Sequence, residues 1–500
     1  MSVGNTKATV FSVKKEVTAG SYLPPSSATD FLPLRPGNEI AFEPEKLESD
    51  ELLNDIGKAK AFIGKEKVSG SHSAYLRHSG VEGQEPQLGV LYESVMGSKA
   101  VAGVEYDTVA ASTVSVIKVD TGEGALFVPG QALLIKDATN GYSIRNVASI
   151  SGDDLTLNFV LGAAPAASVN LGRAVTYIPV AQGHPVFSTT KYLGNGFAVE
   201  ASSGNTVTEA NFTADANGFG EVEFSYEGTK YLFNPITITA SSKFLDFTDT
   251  SGTFAVAVPE KIYKTPVELA DALASALNDS PSAQVYTCTY SSVNGKFTIA
   301  SSTTAVLSLL WNTGANTANS IKTKLGFNNT DDTGALTYSS DNAQTYAAPY
   351  TPSYDNADAI IIKGAELFIG KQSENICICA QSVSYTISKS VEDVDCICEE
   401  TGVSEKIPTE RTSEMTVTAS LSKYDASLLD ALLKNSGISA MLNAGPKVGG
   451  NWSPGKCHNV YFQNCTVSAY KTTGDNFIQV ELTLSGFVTA TGKDAYLNFV

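Results

Sequence analysis

The segment FIQVELTLSGF puts Ile478, Val480, Leu482 and Leu484 on one side of an extended chain and Gln479, Glu481 and Thr483 on the other. A two-residue period fits a strand with one buried face, and it cannot keep one face of a helix, which repeats about every 3.6 residues. Other stretches, such as GEVEFSYEGTKYLF, also read as long strands. Between residues 116 and 180, short strands are punctuated by Pro129-Gly130, Asn140-Gly141 and Gly152-Asp153, all turn-forming pairs. The chain is therefore expected to be mainly β.

A length of 500 residues exceeds what one ordinary core holds, and predicts roughly two to four domains. Hydrophobic residues make up 42%, enough to bury real cores, while only 17% are charged. Asp and Glu outnumber Lys and Arg by 52 to 34, a formal charge of -18. Such a chain is poorly suited to gripping nucleic acid by neutralising phosphates, and well suited to avoiding that grip. The N-terminal stretch has no apolar signal-peptide core, and no run of about 18 apolar residues occurs, so a soluble product of a cytoplasm is expected. Seven cysteines fit reduced thiols better than a disulfide framework.

Residues 1–29 read as an extended N-terminal arm. Leu88, Leu91, Tyr92 and Val95 then define one amphipathic helix, with Pro86 before it and Gly97 after it. Residues 116–180 read as a small β-barrel-like insertion and residues 181–233 as longer strands. Residues 234–348 read as a separate α+β insertion. There Thr265, Pro266 and Glu268 occupy capping-box positions ahead of Leu269, Leu273 and Leu277. Asn294-Gly295 suggests a two-residue hairpin turn, and Gly326 ends a short helix. Residues 349–500 are again strand-rich, with one helix after Ser422 that would bury Tyr424, Leu428 and Leu432.

Several stretches imitate chemistry. Cys377 and Cys379 continue the strand face of Gln381, Val383, Tyr385 and Ile387, and Cys396 and Cys398 share a face with Val394. Both Cys-Ile-Cys pairs thus read as small hydrophobes on packed strands, because zinc knuckles need a turn between ligands. GNWSPGKC at 450–457 resembles a phosphate-binding loop but lacks the following Ser or Thr and a helix behind it. The histidines at 72, 78, 184 and 458 form no ligand or triad spacing. No catalytic, cofactor-binding or metal-binding residue is assigned, and the chain is expected not to be an enzyme.

The segments NEIAFEPEKLESDELLND, KVSGSHSAYLRHSG and EPQLGVLYESVMG, with the strand-rich closing half, resemble the tail tube (major tail) proteins of long-tailed, non-contractile bacteriophages. The stretch from ALASALN through YTCTYSSVNGKFTI to SIKTKLGF is similar to a module found in phage virion proteins. The resemblance implies a β-sandwich with a flanking helix, in which residues 30–115, 181–233 and 349–500 form the tube core. It implies hexameric rings stacked round a lumen that conducts DNA without specific binding. Tail-tip and tail-terminator proteins are the implied partners, with no cofactor and no membrane. The implied location is the virion tail, reached from the host cytoplasm. The two insertions would face outward, to keep the lumen open. A tail-tip, baseplate or host-surface adhesion protein is the alternative. A β-rich glycan hydrolase would need two carboxylates about 5–9.5 Å apart in one cleft.

Within that expectation, the hairpin at 383–417, with RTSEMTVTASL beside it, is the candidate contributor to the lumen wall, with Asp393, Asp395 and Glu399 nearest the DNA. Tyr424, Leu428 and Leu432 are the candidate subunit-packing residues.

Overall fold

A computed structural model describes residues 6–51, 60–194, 196–216, 218–301, 306–354, 357–371, 377–420, 434, 437–473, 479–490 and 492–500. The fold is mainly β, with 49% strand and 8% helix. The chain divides into two compact units. The larger, here the body, comprises residues 12–188, 203–230 and 352–500; the smaller comprises 1–11, 189–202 and 231–351.

The body is built from long antiparallel ladders. One run proceeds from Glu39–Phe42 to Val68–Tyr75, then Glu221–Gly228, then Ala198–Asp215. It continues through a long hairpin of Ala380–Asp395 and Val403–Ala419 to Gln479–Gly486 and His458–Thr473. The last strand serves two layers. Residues 465–473 pair with Gln479–Gly486, whereas 458–461 pair with Tyr496–Phe499 and also with Ile438–Ala444. Val175–Pro179 and Gly97–Val101 extend the second layer on one side, Glu366–Gly370 and Cys377–Ile378 on the other.

Alternation then decides the core. Phe212, Phe224, Tyr385, Met415 and Leu482 of the first run share one buried cluster with Tyr177, Leu442, Phe462, Leu497 and Phe499 of the second. Helix Gly89–Met96 adds Leu91, Tyr92 and Val95 to this cluster and ends at Gly97, which takes the left-handed conformation (φ 103°) that a residue with a Cβ avoids. The fully buried Tyr92 ring lies 5.2 Å from Phe499, 5.3 Å from Phe224 and 5.5 Å from Tyr177.

A six-stranded module within the body runs Tyr106–Asp107, Asn170–Gly172, Ala132–Asp137, Gly141–Ser151, Asp154–Leu157, Val116–Lys118. The Val109 N–H donates to the Lys118 carbonyl at 2.9 Å and links the first and last strands. Its own core includes Ile117, Leu133, Val147, Leu155 and Leu171. This module begins about ten residues before the expected 116 and stops before 180, because Val175–Pro179 is a strand of the second layer of the body. Residues 1–29 are also more than an arm. Val10–Lys15 is a strand, Val13 joins the body core, and the Glu16 N–H donates to the Val186 carbonyl.

The smaller unit buries its core locally, from Ile236 to Phe327. Helix Pro266–Asn278 starts at Thr265, whose hydroxyl accepts from the Glu268 amide; the Glu268 carboxylate reaches back to the Lys264 amide. Gly252–Ala257, Phe244–Asp249, Leu307–Leu309 and Asp332–Ala335 form a four-stranded sheet. Tyr286–Ser291, Lys296–Ser301 and Thr337–Ser339 form a three-stranded one. The first hairpin of the latter closes with a four-residue loop, not a two-residue turn. Ser291 pairs with Lys296, and Gly295 alone takes positive φ (69°).

Candidate functional site

The alternation that fills the body core leaves the opposite face of the same run to polar residues. Registered across seven strands, one row reads Ser73, Glu223, Asn211, Thr386, Glu414, Ser485 and Thr466. The next reads Tyr75, Glu221, Thr213, Ser384, Thr416 and Thr483. Another reads Ser71, Ser225, Glu209, Ser388 and Thr412. Glu209, Glu223 and Glu414 are exposed.

These rows contain no lysine or arginine. Cations reach the face at its margins: Arg35 stands over Tyr75 and pairs with Glu221, Lys406 pairs with Glu227 (3.0 Å), and Lys471 with Glu481 (3.7 Å). The hydroxyls are spent on their neighbours. Ser388 and Thr412 share a hydrogen bond (2.7 Å), as do Ser485 and Ser468 (2.9 Å), and Thr386 donates to Asn211 (3.2 Å). A depression of about 340 Å³ is lined by Thr208, Glu209, Ser225, Glu410 and Thr412 among others, and by Lys389, whose side chain is buried. The result is a broad surface that offers oxygens and negative charge, repels polyanions and presents little that would hold one.

Both strands of the expected lumen hairpin enter these rows, with Thr386 and Glu414 among them, but Asp393, Asp395 and Glu399 do not. From Lys389 to Asp395 the first hairpin strand pairs only with its return strand. Asp393 shares Lys406 (2.6 Å) with Glu227, and Asp395 is bound to Lys65 (2.5 Å). Glu399 sits in the turn, exposed, with its backbone bonded to Cys396 and Gly402. The structure thus separates these three from the cation-free face, where Glu223 and Glu414 stand. The alternation of GEVEFSYEG, which holds Glu223, is legible in the sequence, but which strand lies beside it is a long-range fact. Tyr424, Leu428 and Leu432 lie outside the described residues.

Where the hairpin leaves its neighbours, a buried polar cluster fixes it. The Lys389 ammonium donates to the Ser94 carbonyl at the end of the helix (2.6 Å) and lies 3.1 Å from His184 Nδ1. His184 Nε2 faces the Val180 carbonyl (3.0 Å). Arg411 grips Asp494 with two hydrogen bonds (2.9 and 2.6 Å), and Ser413 donates to the same carboxylate. Burial, then the Arg411 charge, pushes Lys389 down to about 7. Arg411 and Ser413 hold Asp494 below the usual carboxylate range against its burial.

The remaining motifs are structural. The strand register expected for the cysteines fails on both sides. A bulge between Ala380 and Ser382 flips the faces, so Ile378 is buried while Cys379 is exposed. The strand ends at Asp395, which leaves Cys396 and Cys398 in a turn, with Cys398 exposed. Among the described residues no three His, Cys, Asp or Glu side chains gather to hold a metal ion. The Gly455 turn is followed by strand His458–Thr473, with no helix behind it. His72 and His458 are buried and pushed down to about 3 by desolvation; His458 meets the Tyr385 hydroxyl and the Asn498 carbonyl. No protein-family model matches any part of the chain, and no curated protein matches its sequence.

Proposed function

We propose that the protein is a structural virion subunit, a tail tube protein of a long, non-contractile-tailed bacteriophage, which stacks in hexameric rings round a DNA-conducting channel. The observation that carries this reading is the cation-free face of hydroxyls and carboxylates on the first run of strands. A channel for DNA needs a wall that neither binds phosphate nor presents bare apolar surface, and this face meets both requirements. The run also ends in two open edges. Among the described residues, Glu39–Phe42 pairs on one side only, and residues 466–473 pair only with Gln479–Gly486. Open edges invite strand addition, and a heterologous contact between opposite edges closes a ring when the rotation closes. In this reading Glu223 and Glu414 face the DNA, and the channel wall no longer depends on Asp393, Asp395 and Glu399.

Negative-stain imaging of the purified chain tests assembly: sixfold rings or long tubes are expected, and a persistent monomer or trimer would overturn the reading. The wall assignment is tested by Glu223→Lys with Glu414→Lys in assembled particles. Normal tubes with slowed DNA ejection are expected; unchanged ejection would remove the assignment. The alternative, a tail-tip or adhesion protein, is favoured by one observation, the self-contained core of residues 236–327, which suits a binding module. Trimers would select it.

A further inference from the structure

We propose that the groove between strand Gly252–Ala257 and helix Pro266–Asn278 receives an extended, cationic peptide segment of another protein as an added β-strand. The inference concerns the smaller unit alone and does not depend on the body forming a tube.

The strand is an open edge. It pairs with Phe244–Asp249, from Ala257 opposite Phe244 to Gly252 opposite Asp249, and among the described residues no strand pairs on its other side. The Val258 N–H donates to the Lys243 carbonyl at 2.9 Å, which fixes the ladder phase. Residues 252, 254 and 256 then exchange bonds inward, and the N–H and C=O groups of Thr253, Ala255 and Ala257 point to the open side. Edges in soluble proteins are ordinarily blunted by lysine, proline or a bulge. The sequence GTFAVA has none of these.

The helix supplies the second wall. Leu269, Leu273 and Leu277 are buried in the unit's core, which turns Ala272, Ser275 and Ala276 towards the groove. The space between measures about 570 Å³ and is lined mainly by small side chains, with Tyr263, Pro259, Pro281 and Lys261 also in its lining. An edge with free backbone groups beside a helix, separated by small residues, is the arrangement that binds peptides by strand addition. Main-chain bonds would give affinity, and alternate side chains would fill the space above the alanines.

Charge selects the occupant. At the helix N-terminal end, Lys261 is already paired with Glu268 (2.6 Å). At the C-terminal end Asp279 is exposed and lines the groove, and Asp271 is exposed four residues before Ser275. No ion pair to either is present among the described residues. The final carbonyls of the helix add negative potential at the same end. A segment with lysine or arginine opposite Asp279 and β-branched residues along the edge is the complementary ligand.

The test uses the full chain and a fluorescein-labelled peptide, Val-Thr-Val-Thr-Val-Lys. Its controls are the same peptide with alternate amides N-methylated and one ending in Glu. Saturable binding is expected, together with at least about tenfold slower hydrogen exchange at the amides of Thr253, Ala255 and Ala257. Ala276→Trp should abolish binding by filling the groove. Asp279→Lys, an exposed change that leaves the fold alone, should weaken it about tenfold and favour the Glu-ended peptide. No saturable binding at millimolar peptide, or binding indifferent to both variants, would overturn the proposal. Protection of the three amides that rises with protein concentration in the absence of peptide would assign the groove to a second copy, and overturn the choice of occupant.

Discussion

The body and the smaller unit solve the same problem with opposite chain economies. The body core gathers residues from Val13 to Phe499, whereas the smaller unit completes its core between Ile236 and Phe327. In the first, local hairpins are joined by distant partners; Phe212 stacks on Tyr385, 173 residues further on, at 4.3 Å. In the second, a capped helix and two small sheets meet within about a hundred residues, so little loop-closure entropy opposes assembly. The comparison leads us to expect that residues 236–327 fold as a unit in their own right, and that the strands sharing the main core of the body unfold together.

The largest effects should show this independence directly. Tyr92→Ala removes a ring held by four aromatic neighbours and is expected to cost the body about 3–5 kcal/mol. Trp311→Ala, which empties the ring stacked on Phe327 at 4.8 Å, should cost the smaller unit a similar amount. Calorimetry should show two transitions, each moved by its own variant and not by the other. A single transition moved by both would break the comparison. Tyr92→Phe sharpens the point: the buried hydroxyl has no hydrogen-bond partner among the described residues, so its loss should leave the body unchanged or more stable.

Next in size is Lys389→Met. A buried lysine at about 7 binds its proton less tightly in the fold than in the unfolded chain, where the ordinary value is 10.5. Between those limits the unfolded state holds more protons, so this residue makes stability rise with pH through that window, and below about 7 its full penalty is present. Asp494, held low, acts in a separate acidic window, where its contribution is lost as pH falls. Lys389→Met should stabilise the body at pH 7 by about 1–4 kcal/mol and flatten the rise between pH 7 and 9, read from urea titrations at several pH values. A steep rise retained in the variant would show that another group carries it.

What the sequence disclosed follows the same division. Helix Pro266–Asn278, its Thr265 cap and the stop at Gly326 are local signals, written in spacing and turn residues. So is the alternation that buries Val480, Leu482 and Leu484. The cysteine register was not legible, because a single bulge after Ala380 reverses every face beyond it. Nor was the polar face: Glu223 and Glu414 become members of one surface only when Asn211 and Thr386 bring their strands together. The acid concentration at 392–400 was visible, but Lys65 lies more than three hundred residues from Asp395 in sequence, and nothing local predicts that pair.

A smaller effect tests the local character of the second unit. Thr265→Ala removes one cap hydrogen bond (3.2 Å) and should lower the smaller unit's transition by about 1 kcal/mol, leaving the body's midpoint unmoved. Thr265→Ser should restore most of it.

The smallest effect belongs to the acidic end of the hairpin, and it separates apparent from real contributions to stability. Asp393 binds Lys406 at 2.6 Å, a shorter contact than the Thr265 cap, yet its carboxylate is about a third exposed. Water screens such a pair, and ordering two side chains offsets much of what remains. Asp393→Asn also leaves Lys406 its second partner, Glu227, at 3.0 Å. The expected loss is therefore about 0.2–1 kcal/mol, below that of the uncharged cap in the other unit. Urea denaturation of Asp393→Asn beside Thr265→Ala decides it. A loss above about 3 kcal/mol would mean that the pair behaves as a buried one. The far end of the hairpin would then belong to the cooperative core of the body, and would not be a solvated extension of it.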